Sequence, residues 1–292
     1  MKEKIDIGFV ILHYKTDEQT QNCVNSIIEN ISCEYTITIV DNFSNNGSIE
    51  KLEKIYDKNK KIKIIKSKEN LGFARGNNLG IEWINNNFEA KFIAVINNDT
   101  KLLNNKFYEL VEQEYENSKF AVMGPKIILL NKEINPICNQ DISLKRIKNR
   151  ERFLRKQIII RTLHLEKLYE IAKKIRKRKS SKKENKLDVN NYYKDVILHG
   201  CFLIFSKDYF IHYSGFDDRT FLYVEEELLY IRVKKSNLVS VYNPKIEIFH
   251  EEDAATNISI PNERKRALFK LKNIYKSNKV LIKELKEMEK VK

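Results

Sequence analysis

The sequence predicts an α/β protein built on a parallel sheet that helices cover on both faces. Strand-like and helix-like stretches alternate over the first 130 residues, a pattern typical of such sheets. The run Phe92–Ile96 is apolar at every position, as in a strand buried on both faces. It stops abruptly on Asn97, Asn98 and Asp99. Ligands of these sheets bind beyond the carboxyl ends of the strands, so this strand end is a candidate site.

The predicted elements follow one another in a regular order through the first half of the chain. Short runs rich in Ile and Val are predicted as strands, and the longer stretches of mixed polarity between them as helices. The predicted strands are Ile5–His13, Tyr35–Asp41, Lys61–Lys66 and Lys91–Ile96; the predicted helices are Glu18–Glu29, Ser48–Tyr56, Ala74–Asn86 and Asn104–Glu116; and Ala121–Leu130 continues as strand and turn.

The second half returns to strand at Val196 with "VILHGCFLIFS". A Gly-Phe-Asp-Asp turn, a helix that begins with acidic residues and two short strands are predicted to follow. Residues Asn262–Lys290 repeat apolar side chains at roughly helical spacing and predict one long amphipathic helix. Its apolar face packs either on the core or on another subunit, which leaves a homo-oligomer open.

The positive charge of the chain lies in one segment. Leu144–Leu187 contains 18 Lys and Arg against four Glu, and therefore carries the whole net charge of +14. Within it, Leu165, Leu168, Ala172 and Ile175 recur at helical spacing, which predicts a basic amphipathic helix. Such a helix binds an anionic membrane surface or packs on the domain with its basic face in solvent. We interpret residues 176–186 ("RKRKSSKKENK") as a linker.

Several classes of protein are excluded by composition. Hydrophobic residues make up 42% of the chain, which argues against global disorder. The four cysteines have neither metal-ligand nor disulfide-framework spacing, as expected of reduced thiols in a cytoplasmic protein. No apolar run approaches the ~18 residues of a spanning helix, and the acidic N-terminus is not that of a signal peptide. We expect a cytoplasmic protein that is soluble or peripheral on the inner face of the cell membrane.

A carboxylate stands at the end of one predicted strand and three residues beyond the end of another. Asp41, in "VDNFSNNGS" (residues 40–48), either caps its own turn or accepts a hydrogen bond from the edge of a nucleobase. Asp99, in "INNDT" (residues 96–100), either caps a turn or forms an oxygen-donor site for Mg²⁺ or Mn²⁺. Such ions are commonly held by one or two carboxylates together with the phosphates of a nucleotide.

The segment "NLGFARGNNLGI" (residues 70–81) leads into a predicted helix. Gly72 and Gly76 permit close approach of the backbone, and Arg75 places a permanent cation at the helix start. Free backbone amides and a guanidinium suit a diphosphate. The spacing is not the dinucleotide fingerprint Gly-x-Gly-x-x-Gly, and a glycine-rich helix entry without a ligand is the alternative.

Two acidic stretches in the second half could carry chemistry. Glu225, Glu226 and Glu227 open a helix, where the macrodipole favours acids. Because three adjacent carboxylates repel one another, one of them could have its pKa raised into the range useful for a general base. His250, in "IFHEEDAAT", is either structural or a metal ligand beside Asp99.

Together and in this order, these stretches resemble family 2 glycosyltransferases, especially rhamnosyltransferase-like bacterial enzymes of surface-polysaccharide synthesis. The resemblance covers about 200 residues, Ile5–Leu130 and Val196–Thr256. "VDNFSNNGS" resembles the Val-Asp-Asn-x-Ser segment of the family, and "NLGFARGNNLGI" resembles its Asn-x-Gly-Phe-Ala-x-Gly-Asn-Asn-x-Gly stretch. "INNDT" stands in the place of the Asp-x-Asp metal motif, "HGCFLIF" in that of the strand near the acceptor, and "EEEL" in that of the Glu-Asp base motif.

The resemblance implies a GT-A fold, with a Rossmann-like nucleotide-binding sheet and an acceptor subregion, to which the basic helical insertion is added. It implies inverting transfer of a sugar from a nucleotide diphosphate donor, for which we expect the UDP or dTDP class, to a saccharide or lipid-linked saccharide. The implied site residues are Asp41 for the nucleobase; Arg75, Asn77 and Asn78 for the nucleotide or its phosphates; Asn97 and Asn98 within the donor site; Asp99 and His250 for Mg²⁺ or Mn²⁺; and Glu226 as the base, with Glu225 as its competitor.

The resemblance also implies a division of the chain. Residues 1–131 would form the nucleotide-sugar-binding half, 132–195 the basic insertion and linker, 196–260 the acceptor and catalytic half, and 261–292 the C-terminal helix. Two departures from the family pattern stand out. Asn97 and Asn98 replace the earlier positions of the metal motif, and Leu228 replaces the second Asp of the usual Glu-Asp-x-Asp.

Two other functions remain as alternatives. A non-catalytic module on the same fold would bind nucleotide sugar or glycan without turnover. A nucleic-acid-binding protein would use the basic segment, but that segment has only Phe153 and Tyr169 for base stacking and no recognition motif. We therefore expect no specific nucleic acid as a partner.

Overall fold

The computed structural model describes residues 2–137, 142–165, 169, 187–251 and 262–291. Its strands are β1 (Glu3–His13), β2 (Tyr35–Asp41), β3 (Ile62–Lys66), β4 (Phe88–Asn97), β5 (Thr100–Leu102), β6 (Val122–Leu129), β7 (Tyr193–Lys194), β8 (Phe202–Ser206) and β9 (Ser240–His250). Its helices are α1 (Asp17–Asn30), α2 (Ser48–Tyr56), α3 (Gly72–Asn87), α4 (Phe107–Ser118), α5 (Leu144–Thr162), α6 (Lys207–Phe210), α7 (Glu225–Lys235) and α8 (Glu263–Val291).

The described strands form one sheet in the order β3-β2-β1-β4-β8-β6-β9-β5, and β7 also pairs with β9. β1 pairs in parallel with β2 and β4, and β2 with β3, so the parallel sheet predicted for the first half is confirmed. The second half differs, because β8 lies antiparallel between β4 and β6. The sheet is therefore mixed. The alternation of strands and helices along the chain does not show in which direction a strand enters the sheet after a long connection.

β9 corrects a second expectation. The sequence around Asn243 and Pro244 predicts two short strands, but the structure has one strand of 11 residues. Its pairing with β6 shifts register between Pro125 and Lys126, opposite this stretch. Proline cannot donate to a strand ladder and is tolerated at such irregularities, so the strand continues through it. One end of β9 brings His250 to β5.

Two apolar cores lie on opposite faces of the sheet, because side chains alternate along β1. Ile7, Phe9 and Ile11 belong to one core, and Val10 to the other beneath α3. α3 lies unusually close to the sheet, since a Cβ on Gly76 would come within 2.6 Å of Leu12 Cδ1. Gly76 therefore allows α3 to pack against the sheet. This role corresponds to the alternative given above for the glycine-rich segment, in which its glycines do not contact a ligand.

A third cluster joins α5, α7 and α8, and lies apart from the two sheet cores. The long C-terminal helix predicted from the sequence is confirmed as α8, and the cluster shows that the apolar face of this helix packs within the chain. The cluster consists of Ile147, Val224, Leu228, Ile231, Leu281, Ile282 and Leu285. The amphipathic helix predicted around residues 165–175 and the linker 176–186 lie almost entirely outside the described residues.

Candidate active site

The carboxyl ends of β1, β2 and β4 meet at one edge of the sheet. Asp41 is in register with His13 on β1, and Leu12 with Asn97 on β4. His13, which the sequence reasoning overlooked, is fully buried, and its ring nitrogens lie 2.8 Å from the hydroxyls of Thr20 and Ser48. Burial lowers the pKa of His13. The structure therefore brings together two strand ends that the sequence singled out.

Asp41 caps the turn that follows β2. Its Oδ1 accepts hydrogen bonds from the backbone N–H and the hydroxyl of Ser44, at 3.1 and 2.5 Å. The neighbouring Asn42 ties this turn to the start of α3, because its side chain accepts from the N–H of Leu71 and donates to the carbonyl of Gly72. Since a carboxylate has two oxygens, the cap leaves acceptor capacity for a nucleobase. Asn42 had no signal in the sequence beyond its place in the motif.

The start of α3 is built around Gly72. Its φ of +77° is open to glycine at little cost, and a Cβ there would come within 2.0 Å of the carbonyl oxygen of Phe221. The N–H of Phe73 donates to that oxygen at 2.8 Å. Arg75 is exposed, and its Nε donates to the carbonyl of Leu71 at 3.3 Å. The guanidinium is thus displayed at the helix entry, where a diphosphate could approach.

Asn77 and Asn78 differ in what their amides contact. Asn77 is fully buried. It donates to the carbonyl of Phe73, while its Oδ1 has no hydrogen-bond partner among the residues that the structure describes. Asn78 donates to the carbonyl and accepts from the N–H of Phe216, at 3.0 and 2.8 Å. This double contact ties α3 to the turn before α7. The contact of Asn78 is therefore structural, whereas the sequence predicts that it binds the nucleotide.

The strand end on Asn-Asn-Asp is firmly held. The amide of Asn98 donates to the hydroxyls of Thr16 and Thr20, at 2.6 and 2.9 Å. Asn97 is half-buried at the end of β4, and its backbone N–H donates to the carbonyl of Cys201. These contacts hold the backbone that presents Asp99.

Asp99 and His250 form a buried pair without internal compensation. The β5–β9 pairing places Thr100 opposite His250, and Asp99 Oδ1 lies 3.2 Å from His250 Nε2. The contact does not have hydrogen-bond geometry, and within the described residues Asp99 Oδ1 and both ring nitrogens of His250 are buried without a hydrogen-bond partner. Burying polar atoms in this way is costly unless they are compensated. A divalent cation coordinated by both side chains would compensate them.

The donor set fits a nucleotide-bound ion. Among the described residues, no three His, Cys, Asp or Glu side chains are grouped so as to hold a metal. One carboxylate and one imidazole are sufficient where phosphate oxygens complete the shell. Because imidazole is a ligand of transition metals more than of Mg²⁺, the pair fits Mn²⁺ better than Mg²⁺.

A cleft of about 230 Å³ lies near this pair, although neither Asp99 nor His250 lines it. His199 connects the two, since its ring centroid lies 5.9 Å from that of His250 and it also lines the cleft. His199 is exposed to solvent, and desolvation of its ring, followed by the charge of His250, lowers its pKa. The walls are formed by Gly124, Pro125, Ile127, Asn135, Pro136, Ile137, Ile197, Leu198, His199, Phe202, Glu226, Glu227 and Tyr242.

Of the three adjacent acids Glu225, Glu226 and Glu227, Glu226 contacts the backbone of the cleft wall. Its Oε1 accepts from the N–H of Gly200 at 3.2 Å, and a Cβ on Gly200 would come within 2.9 Å of that oxygen. Burial, and then the charge of Glu227, raises the pKa of Glu226. Glu225 is buried more deeply, and burial followed by the charge of Glu226 raises its pKa to about 8.

The backbone entering α7 is strained. Tyr223 and Val224 have φ values of +69° and +76°, which is rare for a β-branched residue such as Val. Strain of this kind is concentrated at functional sites. Leu228, which departs from the family pattern, is almost fully buried in the cluster with α5 and α8. Packing therefore accounts for an apolar residue at that position.

Comparisons with known proteins agree with this architecture. Residues 9–214 match the family described as Glycosyl transferase family 2. No curated protein matches the chain. Among solved structures, the S. aureus TarS fragment 1–349 has a TM-score of 0.52 at 11% identity, over 96% of this chain and 70% of that one.

Two ligand-bound structures are similarly close. The TarS fragment with UDP-GlcNAc has a TM-score of 0.53 at 13% identity, over 85% of this chain and 59% of that one. GalNAc-T7 with UDP, GalNAc and Mn²⁺ has a TM-score of 0.55 at 13% identity, over 86% of this chain and 44% of that one. At these identities the likeness shows the shared fold alone.

Proposed function

The chain belongs to glycosyl transferase family 2 and has the GT-A fold, and on this premise we propose that it transfers a sugar, with inversion, from a nucleotide diphosphate to a saccharide or lipid-linked saccharide. One observation carries the proposal. Asp99 and His250 form a buried pair whose facing polar atoms have no hydrogen-bond partner among the described residues, and His199 joins this pair to a cleft whose wall presents the ionisable Glu226. We place the role in synthesis of bacterial surface polysaccharide.

The reaction is a single displacement. Glu226 takes the proton of an acceptor hydroxyl, whose oxygen bonds to the anomeric carbon as the bond to the diphosphate breaks on the opposite face. Arg75 stabilises the negative charge that gathers on the departing nucleoside diphosphate. A divalent ion held by Asp99 and His250 supplies further stabilisation of that charge when bound. Asp41 and Asn77 have the free acceptor oxygens that the base or ribose of the donor could use.

Thermal stabilisation by donors tests this proposal. We expect one nucleotide class among UDP-, dTDP- and GDP-sugars to stabilise the protein with Mn²⁺ or Mg²⁺ and not with EDTA. A donor at 100 times its Kd adds about 2.7 kcal/mol. Asp99→Ala should lose the metal-dependent part, whereas Asp57→Ala, at an exposed position after α2, should retain it. The absence of stabilisation by any donor would contradict the proposal.

We also propose that the enzyme is cytoplasmic and peripheral on the inner face of the cell membrane. In the part of the chain that the structure describes, no helix is both long and apolar enough to span a bilayer. α5 instead exposes Phe153 and Ile159, at 55% and 48%, and Leu163 directly after its end is 60% exposed. Basic residues beside them include the exposed Arg152 and Lys156. Apolar and basic side chains on one helix are typical of an interfacial contact with anionic lipid.

Vesicle flotation tests the membrane contact. The wild-type protein should bind phosphatidylglycerol vesicles and not phosphatidylcholine vesicles. The triple variant Phe153→Ser/Ile159→Ser/Leu163→Ser should bind phosphatidylglycerol vesicles less. Ile55→Ser, which removes an apolar side chain of similar exposure (52%) from α2, is the control. Equal flotation of the triple variant and the wild type would rule out this surface.

A further inference from the structure

The inserted helix α5 reaches the acidic start of α7 through one side chain. Arg150 Nη1 lies 2.5 Å from Glu227 Oε1, and Arg150 Nε donates to Asn278 Oδ1 of α8 at 2.6 Å. Asn278 is fully buried, and its amide donates back to the carbonyl of Ile147 on α5. Three helices therefore fix the position of this guanidinium. Helix α5 lies between the motif-bearing stretches, and the contact links it to the acidic start of α7.

The contact matters because Glu227 shares a wall of the cleft with Glu226. The negative charge of Glu227 is, after burial, the next cause that raises the pKa of Glu226. A neighbouring like charge disfavours ionisation, and an opposite charge within hydrogen-bonding distance offsets it. The guanidinium of Arg150 is at that distance from Glu227.

Other charged groups around Glu226 are already accounted for. Glu225, on the same helix, has its pKa raised to about 8 and is largely protonated near pH 7. His199, on the cleft wall, has a pKa lowered by desolvation of its ring, which favours its neutral form. Glu284 of α8, the helix packed against α7, is bound by Arg219 at 2.7 Å. The charge beside Glu226 is therefore set largely by the state of Glu227.

We propose that Arg150 is a positioning residue for the transfer: it fixes Glu227 and offsets its negative charge, which favours the ionised form of the neighbouring Glu226 on the cleft wall. Arg150 itself does not touch the reacting atoms. The consequence for turnover rests on the proposed function, whereas the coupling between Arg150 and Glu226 does not. Helix α5 would thus contribute to the site although it lies away from the motifs that carry the acidic triplet and the metal pair.

The coupling can be measured without any sugar substrate. Carbodiimide with glycine ethyl ester modifies protonated carboxyl groups, and mass spectrometry of the full-length chain gives the pH midpoint of labelling at Glu226. In Arg150→Gln this midpoint should rise by about one pH unit, because Glu227 is left uncompensated. In Glu227→Gln it should fall. The double variant Arg150→Gln/Glu227→Gln should return towards the wild-type value.

The double variant separates this role from a merely structural one. If Arg150 only fastened the helices together, removing Glu227 as well would not restore the midpoint, and labelling would increase at many carboxyl groups. Arg150→Lys keeps the charge and should stay near wild type. Arg155→Gln removes the same charge from an exposed position of α5 and should change nothing. An unchanged midpoint in both Arg150→Gln and Glu227→Gln would overturn the proposal.

Turnover is then examined as release of UDP from UDP-GlcNAc and other UDP-sugars across pH. If the labelling midpoint shifts but no donor binds or turns over, the coupling stands and the proposed function fails. If a donor is consumed with the same pH profile in wild type and Arg150→Gln, the proposed function stands and the positioning role fails.

Discussion

The two acidic regions of the site differ in how their charges are balanced. At the sheet edge, Asp99 Oδ1 and His250 Nε2 lie 3.2 Å apart, and in the part of the chain that the structure describes neither that oxygen nor the two ring nitrogens have a hydrogen-bond partner. At the start of α7, Glu227 is paired with Arg150, and Glu226 accepts a hydrogen bond from Gly200. Two of the three acids at the helix start therefore have partners within the protein, although among the described residues Glu225 Oε1 has none, whereas the Asp99–His250 pair leaves three polar atoms available to a ligand.

This difference separates binding from chemistry. Uncompensated buried donors and acceptors gain most from a ligand that coordinates them, so the sheet edge should respond mainly to metal and donor. Carboxylates with raised pKa values but internal partners suit proton transfer near neutral pH. The helix start should therefore govern turnover. Substitutions in the two regions should change different measured quantities.

The largest expected effect is on turnover at the helix start. Glu226→Gln removes the proton acceptor and should reduce the rate of sugar transfer ~10²–10⁴-fold, the usual contribution of positioned proton transfer. Stabilisation by donor and metal should persist, because the Asp99–His250 pair is intact. The measurements are steady-state release of nucleoside diphosphate and thermal shift on the same preparation.

Glu225→Gln is the matched comparison, since it changes the adjacent carboxylate. Turnover that is retained in Glu226→Gln and lost in Glu225→Gln would move the base to Glu225. Donor binding without turnover in the wild type, with every donor class and acceptor tried, would favour the non-catalytic binding module instead.

A smaller effect is expected at the sheet edge. His250→Gln removes an imidazole ligand, so the Mn²⁺ concentration needed for half-maximal donor stabilisation should rise by roughly 10-fold or more, as for other losses in metal sites. His199→Gln, which changes the neighbouring ring but not the pair, should shift this concentration less. Equal shifts in the two variants would show that His250 is not a ligand. Titration of Mn²⁺ followed by thermal shift makes the measurement.

The sequence predicts more of the first region than of the second. Asp99 stands out because polar residues terminate an apolar run, a local feature, and parallel strands bring their carboxyl ends to one edge. Likewise, the parallel half of the sheet follows from alternation along the chain. The Asp99–His250 contact, in contrast, depends on the pairing of β5 with β9, which no local pattern shows.

The second region depends still more on contacts between distant residues. The acidic triplet is visible in the sequence, yet Arg150 is one of 18 basic residues in its segment and has no distinguishing neighbour. His199 precedes Gly200 in "HGCFLIF". This position next to a motif was the only signal in the sequence that His199 would line the cleft. The antiparallel entry of β8 escaped prediction because periodicity carries no information about strand direction.

The smallest expected effect concerns the pH dependence of stability at the helix start. Burial, followed by the charge of Glu226, raises the pKa of Glu225 to about 8 in the folded protein, from a usual value of 4.5. The folded state therefore binds a proton that the unfolded state has released between these values. This contribution to stability is fully present below the unfolded pKa and is lost as pH rises through about 8.

Glu225→Gln should flatten that dependence, because a neutral amide cannot ionise. Between pH 6 and 8 we expect the wild type to lose roughly 1–2 kcal/mol more unfolding free energy than the variant, a difference of a few degrees in melting temperature for a domain of this size. Glu109→Gln changes an exposed acid in the first turn of α4 and should leave the wild-type slope. Melting curves across this range make the measurement, and parallel slopes for wild type and Glu225→Gln would show that Glu225 is ionised in the fold. In that case the helix start would carry an uncompensated charge, and the contrast with the sheet edge would disappear.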